Sequence, residues 1–165
     1  MIKMNLNPKN PISIFAYGTA YHSETLEQHT VYNLRFGKEN YYLAWLVSEN
    51  YVPFVMNNLF ISKLCSNQQN SEIKLGKYQH YKSANFYQLL GLSHLIQNIQ
   101  DPLQNSLFVL YRALYTHEKY GKDTLWLRPK EMFFETVYLG DNKVPRFNYI
   151  LKILDFRTEN QRFWY

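Results

Sequence analysis

The chain has 165 residues, a formal net charge of +5, one cysteine, and an aromatic content of 18% led by 15 Tyr and 11 Phe. A lone Cys65 excludes an intramolecular disulfide framework and fits a reducing compartment, so a cytoplasmic location is expected. No secretory signal is evident in residues 1–20, and no apolar run approaches the roughly 18 residues of a membrane span, so no membrane association is expected.

Along the chain, one segment occurs twice. The first half reads Val31-Tyr32-Asn33-Leu34-Arg35-Phe36, then Ala44-Trp45-Leu46-Val47-Ser48, then Phe54-Val55-Met56-Asn57-Asn58-Leu59-Phe60. The second half reads Leu110-Tyr111-Arg112-Ala113-Leu114-Tyr115, then Leu125-Trp126-Leu127-Arg128-Pro129, then Val137-Tyr138-Leu139-Gly140-Asp141-Asn142-Lys143-Val144. A repeat of this length predicts two related small units: a degenerate copy at 1–64 and a well-preserved one at 73–151. Between them, residues 65–72 (Cys65-Ser66-Asn67-Gln68-Gln69-Asn70-Ser71-Glu72) form a polar linker almost devoid of apolar side chains. Units this small bury only about 60% of the surface their unfolded chains expose, so each gains from leaning on the other.

Helical periodicity is weak, whereas runs of four to eight β-branched and aromatic residues bounded by Gly, Asn, Asp and Pro recur. The chain reads as mostly β, with short helical turns only. In the second unit, strands are expected at 76–81, 86–93, 107–115, 125–128, 136–139 and 144–149. Leu139-Gly140-Asp141-Asn142-Lys143 signals a tight turn, because Gly, Asp and Asn tolerate positive φ. Pro129 stops its strand and opens a helical turn through Lys130-Glu131-Met132-Phe133. Five or six short strands close most economically as a small curled barrel, so the expected architecture is a tandem of small barrels. The first unit lacks a counterpart to the strand at 76–81, and the apolar-rich stretch 150–156 is left over. The tail 152–165 is therefore expected to pack on the first unit and cover an exposed strand edge.

The blocks Gly76-Lys77-Tyr78-Gln79-His80-Tyr81-Lys82, Leu110-Tyr111-Arg112-Ala113-Leu114-Tyr115, Leu125-Trp126-Leu127-Arg128-Pro129, Met132-Phe133-Phe134-Glu135 and Val144-Pro145-Arg146-Phe147 closely resemble the small bacterial family called domain of unknown function 1653. The resemblance covers 73–151 and implies a small barrel of the SH3-like type, with no established activity or cofactor. Residues 12–64 resemble the same family in degenerate form, notably in Tyr21-His22-Ser23-Glu24-Thr25-Leu26-Glu27. The first unit has Asn33 where the pattern has Arg112, and Val47-Ser48 where it has Arg128-Pro129. Any site built on these arginines belongs to the second unit.

Strand alternation puts Phe108, Leu110, Arg112 and Leu114 on one face, with Val109, Tyr111, Ala113 and Tyr115 on the other. An arginine within an apolar face needs a partner, and Glu131 and Glu135 are the expected ones, with anion binding as the alternative role. Trp126 and Arg128, two apart on a strand, share a face, and their spacing allows a guanidinium to lie on or near an indole. Alternatively, Trp126 is core and Arg128 covers it with its methylene stem. With Arg112, Tyr111, His80 and Arg146, they make up the candidate ligand-binding set, and Tyr81 is expected nearby.

Residues 1–70 hold five basic and four acidic side chains (+1), and residues 71–165 hold thirteen and nine (+4), so the excess charge lies with the second unit. It suits a polyanionic partner or a simple solvated lysine-rich face. His22-Ser23-Glu24 cannot work as a triad, since neighbours in extended chain point apart, and it reads as a turn. The histidines show no zinc spacing, and no phosphate-cradling glycine motif occurs, so no cofactor is expected. The leading expectation is a non-enzymatic binding module for RNA or another anionic ligand. The alternatives are a protein-interaction domain gripping a peptide and, remotely, a small hydrolase using His80 or His94. Exposed strand edges make a homodimer compatible with this architecture.

Overall fold

Alternation of apolar and polar residues builds strands that the computed structural model places within residues 13–36, 39–46, 73–96 and 107–151, the residues it describes. In the first half these are β1 (Ser13–His22), β2 (Gln28–Phe36) and β3 (Glu39–Leu46). In the second half they are β4 (Gly76–His80), β5 (Phe86–Ile96), β6 (Leu107–Ala113) and β7 (Leu125–Pro129). A short helix α1 (Lys130–Phe133) follows, then β8 (Thr136–Leu139), β9 (Asn142–Pro145) and β10 (Phe147–Leu151).

The main sheet runs β10-β4-β5-β3-β2-β1-β7-β6, and β6 returns to pair with β5. Six strands therefore close into a barrel, three from each half. The mostly β barrel class expected from the sequence is the one observed, and among the described residues both halves contribute to one barrel. Three strands are too few to close on themselves, and each half's two open edges are paired by the other's. Pairing is antiparallel within each half and parallel at the two seams, where Tyr42–Trp45 run beside Ser93–Ile96 and Ala20–His22 run beside Leu125–Leu127.

The two halves share a pairing pattern. Gly18 pairs with Val31 after a bulge at Tyr17, and Gly91 pairs with Leu110 after a bulge at Leu90. Phe15 lies opposite Asn33 as Gln88 lies opposite Arg112. A bulge bends its strand and sharpens its twist, which a small barrel needs. Both bulge residues pack on the barrel interior, which is filled by Ala20, Val31, Tyr42, Ala44, Leu95, Phe108, Leu110, Leu125 and Leu127, drawn from all six strands. The glycines are there for space: a Cβ on Gly91 would lie 3.0 Å from Tyr42 Cε2, and one on Gly18 would lie 3.1 Å from Leu125 Cδ1.

The opposite faces of β5, β6 and β7 carry a second core outside the barrel, under β4, β10 and α1. Tyr78, Tyr87, Leu89, Val109, Tyr111, Trp126, Phe133 and Phe147 meet there. Phe133 stacks on Phe147 with ring centroids 4.1 Å apart and planes 5° from parallel. Pro129 (φ −49°) caps α1 and turns the chain so that Phe133 is buried. The β8–β9 hairpin turns at Gly140 (φ 64°) and stands apart as a two-stranded sheet. The strand expected at 144–149 divides at Arg146, whose N–H donates to Glu135 O and whose carbonyl accepts from Tyr81 N–H, both at 2.9 Å. The linker 65–72 and the tail 152–165 lie outside the described residues; just before the tail, β10 pairs with β4 of its own half. No helix among the described residues is long and apolar enough to cross a membrane.

Candidate functional site

The outer face of β7 carries Trp126 and Arg128 on one side, as their spacing predicts, but the two have different surroundings. Trp126 is 9% exposed and lies beneath Tyr21 (6.0 Å between centroids), Tyr120 (5.8 Å) and His117 (5.6 Å). Its Nε1 is buried with no hydrogen-bond partner among the described residues. An indole so covered packs the core and offers no open ring face. Arg128 is half-buried, and its Cζ lies over the Phe147 ring, 5.6 Å from the centroid, rather than over the indole. Its Nε donates to the Tyr111 hydroxyl at 3.2 Å. No carboxylate among the described residues stands within ion-pair distance of it.

Phe147 is the hub that the sequence reading missed, although it closes the Val144-Pro145-Arg146-Phe147 block. His80 packs edge-on against the same ring (5.0 Å) and lies 4.9 Å from the Tyr81 ring, while Arg146 Cζ stands 6.0 Å from the Tyr81 centroid. Tyr111 also meets Phe147 at 5.5 Å. Of the expected ligand-binding set, Arg128, Tyr111 and His80 thus meet on one buried phenyl ring, and Arg146 is linked to them through Tyr81, which packs beside His80. Trp126 and Arg112 lie elsewhere.

Arg112 projects from the barrel-interior face of β6 and donates through Nη2 to Gln88 Oε1, its cross-strand neighbour on β5. The carboxylates expected for it are placed otherwise. Glu131 is exposed, and Glu135 Oε1 accepts from Arg146 Nε at 2.8 Å and from Arg146 Nη2. A neutral amide oxygen accepts from a guanidinium without bringing a second charge to desolvate, a pairing that opposite-charge matching in the sequence does not show. At the corresponding position in the first half, Asn33 is buried, and its Nδ2 donates to Asn40 Oδ1 and Tyr41 O, each at 3.4 Å.

The electrostatics of the gathered group are cationic. Burial holds the His80 imidazole below its ordinary value, and Arg128, Arg146 and Lys82 lower it further. Burial raises the Tyr111 hydroxyl, against the pull of Arg128. His80 Nδ1 accepts backbone N–H groups from Lys82 (3.4 Å) and Ser83 (3.3 Å), so the neutral ring carries its proton on Nε2 as a donor. Glu135 offsets Arg146, which leaves Arg128 and Lys82 to set the sign of the field. Chemically this is a set of N–H donors and positive charge beside aromatic edges, suited to an oxyanion.

Fold and site together define a small closed β-barrel domain with a basic, aromatic outer face. Residues 76–149 match the family described as "Protein of unknown function (DUF1653)", and over that segment the chain resembles this family. Among solved structures, the chain is similar to the crystal structure of a protein belonging to DUF1653 from Bordetella bronchiseptica. The two are 26% identical, the match covers 52% of this chain and 97% of that one, and the TM-score is 0.40. No curated protein matches the chain.

Proposed function

We propose that the protein is a non-enzymatic binding module that takes an anionic ligand, single-stranded RNA foremost, on the face built around Arg128. The observation that carries this reading is the state of Arg128. It is half-buried, oriented by the Tyr111 hydroxyl and the Phe147 ring, and unmatched by any carboxylate among the described residues. A guanidinium held in one orientation loses little freedom when it binds a phosphate, and its fork suits bidentate contact. Lys82 and the donor on His80 extend the contact surface. The +4 excess of residues 71–165 supports attraction at longer range. Tyr81, half-buried beside Arg146, is the ring available for a base to pack against. The lone Cys65 supports a cytoplasmic setting.

The test is titration of a single-stranded RNA oligonucleotide with the native chain and with Arg128→Gln across graded salt. Affinity should fall about tenfold in the variant, and the slope of log affinity against log salt should drop by about one, because one phosphate contact is lost. Equal affinities would overturn the reading. Binding that is indifferent to salt would overturn it too and would point to a peptide ligand.

A further inference from the structure

Three connections in this chain follow one plan. At each, a histidine Nδ1 accepts the backbone N–H groups of the residues two and three places ahead. His22 accepts from Glu24 (3.1 Å) and Thr25 (3.3 Å), His80 from Lys82 (3.4 Å) and Ser83 (3.3 Å), and His117 from Lys119 (3.1 Å) and Tyr120 (3.2 Å). The residue four places ahead donates its N–H back to the histidine carbonyl: Leu26 at 2.9 Å, Ala84 at 3.0 Å and Gly121 at 2.8 Å. Each of these residues has positive φ, at 62°, 59° and 86°. Leu26 and Ala84 carry a Cβ, so their left-handed conformation is strained and must be held by the turn. The imidazole does here what Asp or Asn does in an Asx turn, with one difference. It titrates near neutrality.

We propose that the His22 and His80 turns form an acid-released latch, closed by the neutral imidazole and opened when Nδ1 takes a proton. Protonation removes the acceptor and sets an N–H against two backbone N–H donors, so the strained Leu26 and Ala84 are held by their backbone bonds to the histidine carbonyls without the imidazole's two. The neighbouring groups tune the two turns. Around His22 lie Glu24 and Glu27 of its own turn, His29 on β2, Phe108 on β6 and Arg128 on β7; burial lowers its pKa, the two glutamates raise it and Arg128 lowers it. Around His80 lie Lys82 and Tyr81 of its own turn, Arg128 on β7, Arg146, and Phe147 on β10; burial and all three cations lower its pKa. With both values depressed below 6.5, the latch contributes its full stability above that pH and loses it as pH falls through the lower folded values.

The experiment compares the full native chain with H22N/H80N, in which an amide oxygen accepts the same N–H groups without titrating. Melting temperature is read at about pH 7.5 and about pH 5.5. The native protein should lose melting temperature over this interval, and the variant should lose less than about half as much, the remainder belonging to buried His29. An equal loss in both overturns the proposal. Independently of any substitution, the Lys82 and Ser83 amide resonances of the native chain should titrate together with a midpoint below 6.5; amides that stay put over this range also overturn it.

Discussion

Arg128 donates from Nε to the Tyr111 hydroxyl at 3.2 Å, across neighbouring strands of the barrel's outer face. The bond leaves the two terminal nitrogens of the guanidinium to face other partners, and it fixes their direction. Tyr111 is itself buried among Tyr87, Phe133 and Phe147, so the acceptor is as rigid as the core around it.

Tyr111→Phe keeps the ring and removes the acceptor. Stability should fall by about 1 kcal/mol, because half-buried Arg128 can turn its Nε to water. RNA affinity should fall by roughly twofold to fivefold as Arg128 gains freedom. Urea denaturation and the RNA titration read the two effects separately.

The two bulge glycines should rank unequally. Gly91→Ala pushes a methyl against the ring of buried Tyr42 and should cost about 1–3 kcal/mol. Gly18→Ala meets only the far end of the Leu125 side chain, which can give, so its cost should be clearly smaller. Denaturant midpoints of the two variants test this order at the two seams of the barrel.

Glu135→Gln releases Arg146. The pair is partly exposed, at 21% and 38%, so stability should change by no more than about 1 kcal/mol. The added positive field should tighten RNA binding at low salt, and the gain should fade as screening rises. Binding curves at two ionic strengths decide it.

Tyr78 ties the outer core together by donating its hydroxyl to Lys74 O at 2.7 Å. Burial, aided by Tyr149, pushes that hydroxyl up to about 12. A raised value contributes stability below the ordinary 10.0 and loses it as pH rises through about 12. Tyrosinate absorbance should therefore show a late-ionising group that Tyr78→Phe removes.

The match of Leu110-Tyr111-Arg112 to Val31-Tyr32-Asn33, legible in the sequence, coincides with the pairing, where Gly91 and Gly18 meet Leu110 and Val31. In the third strand, likeness of residues and strand pairing differ by two positions. Likeness of residues sets Trp45 beside Trp126, whereas the pairing of Val31 with Ala44 and of Leu110 with Leu127 makes Trp45 the counterpart of Arg128. A shift of two preserves the face, so alternation alone cannot detect it. Nor can alternation tell two small barrels from one shared barrel, since the seams β3–β5 and β1–β7 join residues far apart in the chain. In the site, the faces of Trp126 and Arg128 were readable from period two. The cover over Trp126 was not, because Tyr21 and Tyr120 reach it from another strand and from a loop.

Anion binding on the Arg128 face is best probed by following the Arg128 Nε–H resonance and the Lys82 and Ser83 amides by NMR while single-stranded RNA is added. These signals should move together and saturate at one affinity, with the β8–β9 hairpin unaffected. Saturable shifts confined to the exposed Tyr138 and Leu139 of that hairpin, with Arg128 Nε–H unmoved, would contradict it.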